Sequence, residues 1–354
     1  MKKPFVHPGL LHSREELAFI KQKVTAGEEP WKTAWEKLQE SPSASLNHTP
    51  RPRPEVVRGP YNNPNIGSSE LSGDSSAAYT HALQWCLTGK QAHAQKAIAL
   101  LNAWSSTLKT VSGHDTKLLI GMVGVHLCNA AELLRHTDAG WLKDDQKQFE
   151  HLLRQVFYPA IKDFFPKANG NWDASMIQTM LAMGVFLDDQ AMFERAVTYF
   201  QKGEGNGAIE HYFNAFGECQ ESGRDQAHTQ MGLGFLGCAC EMAWKQGVDL
   251  YSTSNSRLAL GFEYTAKYNL GHDVPYETYT SIGGTYVNPT ISPKSRGRFA
   301  PIYERIVHHY HVRKKLEMPH CREVVAKTRP EISQSGGHIP WGTLMFAELR
   351  LAKS

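Results

Sequence analysis

Apolar positions recur with a helical period along most of this chain. In "HSREELAFIKQKV", Leu17, Ile20 and Val24 share one face, and Ser13 with Glu16 fits a capping box at the helix start. From residue 75 onward the pattern predicts helix after helix, over 75–88, 91–108, 115–136, 142–164, 172–187 and 189–201. Further helices are predicted over 223–246, 256–270, 300–316 and roughly 340–350. In 142–157, Leu142, Phe149, Leu152, Leu153, Val156 and Phe157 keep the period. Few segments alternate with period two. The reading is an all-α protein of helical hairpins.

Hairpins of this kind stack into an open solenoid or close into an α/α toroid. No repeat of fixed length recurs, which counts against a solenoid. Three stretches, 41–74, 202–220 and 271–299, are long and irregular. They suit loops that build a cleft or tunnel on one face of an incomplete barrel of hairpins. We expect one domain over 1–354, with 41–74 as a lid or loop insertion.

Composition narrows the function classes. The net charge of +3 and the lack of a dense Lys/Arg block speak against nucleic acid. No run of about 18 apolar residues is evident, so no membrane span is expected. The six cysteines form no C-x-x-C pair and read as small buried hydrophobes. Motifs for phosphate loops, dinucleotide folds, zinc proteases and serine hydrolases are lacking, so no cofactor is expected. "HHYH" at 308–311 has ligand types, but adjacent helical residues diverge, and no metal is expected.

Three stretches carry polar groups of interest. In "QESGRDQAHTQMGLG", Ser222 and Asp225 fit a cap, which places Arg224 at a positive helix end. Arg224 and His228 are i, i+4 and share a face, an arrangement open to an anion site or to a plain surface pair. In "NGNWDAS", Asn171 reads as a helix cap or a carboxylate-binding amide, and Trp172 as a core indole or a sugar platform. In "SPKSRGRFAPIYERIVHHYH", Tyr303 falls in a first helical turn behind Arg296 and Arg298. Its spacing to Tyr310 fits a core stripe as well.

Taken in order on a helical chain, "NGNWDAS", "QESGRDQAHTQMGLG" and "RFAPIYERIVHHY" resemble the alginate lyase superfamily of polysaccharide lyases. The likeness extends to "GDSSAAYTHALQWCLTG", "DTKLLIGMVGVHLCNAAELL" and "IPWGTLMFAEL". It implies an α/α toroid that cleaves 1,4-linked uronate polymers, alginate or glucuronan, by β-elimination. By that resemblance Asn171, Arg224 and His228 neutralise the sugar carboxylate or serve the base, and Tyr303 is the acid or acid/base. Arg298, Trp172, Tyr61, Asn62 and Glu221 would bind substrate, the loop around Tyr61 and Asn62 acting as a lid. The resemblance further implies an anionic polysaccharide as substrate, a monomer and a secreted or periplasmic location, with no nucleic acid or membrane partner. A toroid hydrolase would instead need two carboxylates, for which Asp173, Glu221 and Asp225 are candidates. A non-catalytic sugar-binding module is the third reading.

Overall fold

A computed structural model describes residues 3–332 and 337–348 of the chain. Fifteen α-helices are described: α1 Arg14–Ala26, α2 Trp31–Glu40, α3 Ser68–Thr88, α4 Gln91–Thr107, α5 Thr116–Arg135, α6 Lys143–Leu152, α7 Tyr158–Ile161 and α8 Gly170–Phe186. They continue with α9 Gln190–Lys202, α10 Ile209–Tyr212, α11 Gln226–Lys245, α12 Thr253–Asn269, α13 Tyr303–Val307, α14 Pro319–Thr328 and α15 Gly342–Phe346.

An inner row of four long helices, α3, α5, α8 and α11, packs neighbour to neighbour. Outside it, α4 lies against α3, α9 against α8, and α12 against α11. The circle is completed through α13, α15, α2 and α1, which returns to α3. The fold is an α/α toroid.

Burial follows these positions. α9 buries one stripe, Met192, Phe193, Ala196 and Phe200, as an outer helix should. In α8 every residue except Trp172 is buried, so it turns no face to solvent beyond its first turn. α5 corrects the expectation of no span-length apolar segment. It is long and apolar enough to cross a membrane, yet it is enclosed between α3 and α8 in one continuous core. Five of the six cysteines are buried and all six are free, in keeping with their reading as small hydrophobes.

Several boundaries depart from the sequence pattern. α3 begins at Ser68, not near 75, because its polar start is stabilised from within the helix. Ser72 Oγ donates to Ser68 O at 2.8 Å and Ser75 Oγ to Ser72 O at 2.9 Å. The buried Asp74 accepts from the Arg51 amide (2.8 Å) and Trp104 Nε1 (2.7 Å) and bonds His48 Nε2 (2.7 Å). α2 and α14 were not anticipated. The predicted helices 142–164 and 300–316 each contain a π-helical stretch, Leu153–Phe157 and His308–Arg313. The end of the predicted helix at 340–350 lies outside the described residues.

The loops contain short strands. β1 Glu55–Arg58 pairs antiparallel with β2 Asn65–Ile66 and parallel with β3 Thr110–Ser112. Between β1 and β2 the chain turns at Tyr61 and Asn62, with φ of 51° and 64°. β4 Tyr279–Thr280 and β5 Val287–Asn288 form a hairpin within 271–299.

Candidate active-site cleft

A cleft of about 620 Å³ opens where α5, α8 and α11 begin. Its wall includes Asp115 and Leu118 from the start of α5, Asn169, Asn171 and Trp172 from the start of α8, and Arg224, His228 and Met231 from the start of α11. Three helix N-termini therefore face one space, and each brings a partial positive charge. The loops add Arg58 and Tyr61 from one side and Tyr286 and Asn288 from the other. Arg58, Lys167 and Arg224 line the cleft, and Asp115 is its one carboxylate among the described residues. The electrostatics favour an anion.

Glu221 lies beneath this surface, fully buried, and accepts from four donors. They are the Asn171 amide (3.1 Å), Asn171 Nδ2 (2.6 Å), the Tyr212 hydroxyl (2.8 Å) and Arg224 Nη1 (2.8 Å). One carboxylate thus fixes both Asn171 and Arg224. The packing leaves no slack here. A Cβ at Gly170 would stand 2.2 Å from the Tyr212 ring, and one at Gly232 would stand 1.8 Å from its hydroxyl.

Arg224 Nη2 also lies 3.2 Å from His228 Nε2. A guanidinium only donates, so Nε2 must offer its lone pair and the ring proton sits on Nδ1. Nδ1 then donates to Asp225 Oδ2 at 2.7 Å, while Asp225 Oδ1 accepts the His228 backbone N–H at 2.8 Å. Burial opposes charge on Asp225, but the bonds from the His228 ring and backbone and the nearby Arg224 outweigh it and hold its carboxyl down at about 2. An ionised aspartate thus orients a neutral imidazole whose free nitrogen faces the arginine.

The family model for alginate lyase matches residues 20–274. The chain belongs to the alginate lyase family. With that family it is a polysaccharide lyase. Solved structures of low identity share its fold. A crystal structure of an alginate lyase from Bacteroides ovatus is 14% identical over 97% of this chain and 100% of that one, with a TM-score of 0.65. Alginate lyase A1-III from Sphingomonas species A1 is 13% identical over 96% and 98%, with a TM-score of 0.68. A histidine-to-alanine variant of A1-III, complexed with tetrasaccharide, is 14% identical over 96% and 97%, also at 0.68. No curated protein matches the chain by sequence.

In this alginate lyase family member, Asn171, Trp172, Arg224, His228 and Tyr61 all reach the cleft. The local reading of two of them needs correction. Asp225, not Ser222, caps α11, so Arg224 precedes the helix and does not sit in its first turn. Asn169 is the N-cap of α8, and Asn171 lies in its first turn. One Asn171 amide hydrogen goes to Glu221, and its Oδ1 is buried without a partner. Trp172 meets His114 and Phe165 edge to face, at ring-centroid distances of 5.6 and 5.4 Å, and forms an aromatic wall.

Four expected site residues lie elsewhere. Tyr303 is fully buried in the core between Phe262 and Phe299, and its hydroxyl donates to Gln230 Oε1 at 3.0 Å. Burial pushes that phenol well above its ordinary range. Arg298 is exposed and absent from the cleft wall, touching Gln230 only through its carbonyl. Glu221 is covered and saturated, so it positions other side chains. Asn62 accepts from Ser68 Oγ at 2.8 Å and lines an adjoining cavity of about 280 Å³. Of the carboxylates named for a hydrolase, Asp173 is buried on Phe165 N, Tyr199 OH and Gly207 N, and none of the three lines the cleft. Sequence reasoning missed Arg58, Lys167, Tyr286 and Asn288. They lie in aperiodic loops, where no spacing in the sequence marked them.

Proposed function

We propose that this polysaccharide lyase cleaves 1,4-linked polymers of mannuronate or glucuronate by β-elimination in this cleft. The observation that carries the reading is the Asp225–His228–Arg224–Glu221–Asn171 network, a fixed base and two fixed carboxylate-binding groups on one cationic wall. The uronate carboxylate is received by Arg224, by the second amide hydrogen of Asn171 and by the helix N-termini behind them. Neutralising that carboxylate stabilises the enolate that forms as C5 loses its proton. When the sugar carboxylate takes the Arg224 Nη2 hydrogen in place of His228, Nε2 is released to accept the C5 proton, with Arg224 Nη1 still held by Glu221. The electron pair forms the C4–C5 double bond, the C4–O bond breaks, and the departing oxygen takes the proton of the Tyr286 hydroxyl. Tyr286 replaces Tyr303 in this role because it lines the cleft and Tyr303 does not. Mannuronate and glucuronate share configuration at C4 and C5, so one arrangement serves both.

The part of 41–74 that precedes α3, residues 41–67, serves as the lid, its Arg58 and Tyr61 closing over the sugar, and Trp172 supplies a stacking face. The whole chain acts as one catalytic unit. A secreted or periplasmic monomer fits a polymeric substrate. The test is a panel of polymannuronate, polyguluronate and polyglucuronate, read by the ultraviolet absorbance of the unsaturated ends. Tyr286→Phe should lose on the order of a hundredfold or more in kcat, while Tyr303→Phe should keep near-native turnover per folded molecule. New reducing ends without ultraviolet absorbance would mean hydrolysis and end this reading.

A further inference from the structure

At the far end of α5 from the cleft, a second polar cluster joins three parts of the chain. Glu132 and His136 stand one turn apart on α5. His7 comes from the N-terminal segment, and Asp188 from the turn between α8 and α9. One ring nitrogen of His7, one of His136 and a carboxylate oxygen of Glu132 all lie within 4.8 Å of one another. His7 Nδ1 is 2.7 Å from Glu132 Oε1, and His7 Nε2 is 3.2 Å from Asp188 Oδ1. The His7 and His136 rings are stacked at 4.4 Å.

Protons alone do not satisfy this cluster. Glu132 is 1% exposed, and its Oε1 accepts from His7 and from the Gly9 amide. Its Oε2 is buried with no hydrogen-bond partner, and His136 Nε2 stands 3.7 Å away, too far to donate. A buried carboxylate oxygen without a donor is costly. An ion seated among these groups would satisfy it and both imidazoles together.

We propose that His7, Glu132 and His136 form a structural zinc site, with Asp188, on the opposite ring nitrogen of His7, as the carboxylate that orients that imidazole. Two imidazoles and one carboxylate are a borderline donor set that suits Zn²⁺ better than Ca²⁺ or Mg²⁺, and a water completes the tetrahedral shell. The side chains of His136 and Asp188 are 27% and 70% exposed, which gives the ion a way in. The site lies away from the chemistry. His136 and Leu118, which lines the cleft, are roughly 27 Å apart along α5 at the rise of an α-helix. Its effect is to fasten the N-terminal segment and the α8–α9 turn to the end of a core helix, so metal binding adds to fold stability.

The full chain, stripped with chelator and dialysed, should bind one Zn²⁺ in calorimetry and gain about 4 °C or more in melting temperature at saturation. Co²⁺ in its place should show the visible bands of a tetrahedral site. His136→Gln and Asp188→Asn should each weaken binding at least tenfold and bring the zinc-bound melting point close to that of the stripped wild type. Turnover should be the same with and without the ion. Absence of stoichiometric binding by the wild type would overturn the proposal and leave a protonated His7 bridging two acids. Equal zinc affinity in both variants would overturn it as well. Because the wild-type stoichiometry and Co²⁺ spectrum stand alone, a variant that fails to fold does not block the test, and neither readout depends on lyase activity.

Discussion

Arg224 stands between two carboxylates with different duties. Glu221 fixes its guanidinium from below, and Asp225 fixes the imidazole that the guanidinium meets. From sequence, Arg224 looked like a cation at a positive helix end, whose removal would leave stability unchanged or better. The structure reverses that expectation. Arg224→Ala removes one charged donor from a fully buried Glu221 and should cost about 1.5–3 kcal/mol in urea unfolding, along with most turnover. A variant as stable as wild type would show that Glu221 does not depend on the pair. Asp225 carries a pH signature. Its folded carboxyl titrates at about 2, below the ordinary aspartate value of about 3.9. A depressed acid stabilises the fold above its unfolded pKa, and that contribution is lost as pH falls through the folded one. The stability gap between wild type and Asp225→Asn should therefore be flat above about pH 5 and shrink toward pH 2. Turnover of the variant should fall on the order of a hundredfold or more, since the amide no longer selects the Nδ1–H tautomer. Arg224, His228, Asn171 and Trp172 were legible because helix starts expose polar residues at fixed spacing. Tyr286 was not, because an aromatic in an aperiodic loop has no pattern to set it apart. Tyr303 misled because a helix start can face the core as well as a cleft.

At the scale of elements, α3 decides where the loop before it can sit. Its buried Asp74 holds His48 and the Arg51 amide, and the next residues run through β1 to Arg58 and Tyr61 on the cleft wall. The sequence reading gave 41–74 to a loop because the segment is rich in Pro, Ser, Asn and Gly, and its end, "SSELSGDSS", is polar too. It could not show that serines bonded back to their own helix, with one aspartate facing inward, make such a stretch helical. α5 and the later turns of α8 and α11 were legible for the opposite reason, since enclosure on every side leaves them almost wholly apolar. α2 and α14, each of ten residues, are short and partly exposed, and their periodicity was thin. Asp74→Ala should destabilise the protein by about 2–4 kcal/mol, because it leaves Trp104 Nε1 and the Arg51 amide without their acceptor. It should also speed limited proteolysis within 48–67 and raise KM more than it lowers kcat. Unchanged cleavage rates in that segment would mean the strand pairing of β1 with β3 holds the lid without Asp74.

Over the whole molecule, the toroid places the starts of its inner helices at one end, and there the charges of the wall add to those of the helix dipoles. Arg58, Lys167 and Arg224 line the cleft, Arg58 beside Asp115 at 3.8 Å and Arg224 on the buried Glu221 at 2.8 Å, so Lys167 is the wall cation without an ion pair among the described residues. The chain as a whole carries only +3, so the bias is local and was invisible in the composition. A polyanion approaching this end meets a focused positive potential, and such steering is screened once the Debye length falls to a few ångströms. The value of kcat/KM on a polyuronate should therefore fall several-fold as salt rises from about 0.02 M to about 0.5 M, while kcat at saturation changes little. Lys167 offers the cleanest probe, being exposed and free of any role in the His228 network. Lys167→Ala should raise KM and flatten the salt dependence, with kcat and melting temperature close to wild type. Lys167→Glu should go further in the same direction, since it puts a second carboxylate on the wall. If kcat/KM proves insensitive to salt, or if Lys167→Glu binds substrate as well as wild type does, the polymer is held by sugar contacts and stacking on Trp172, and the cationic wall acts only at the reacting carboxylate.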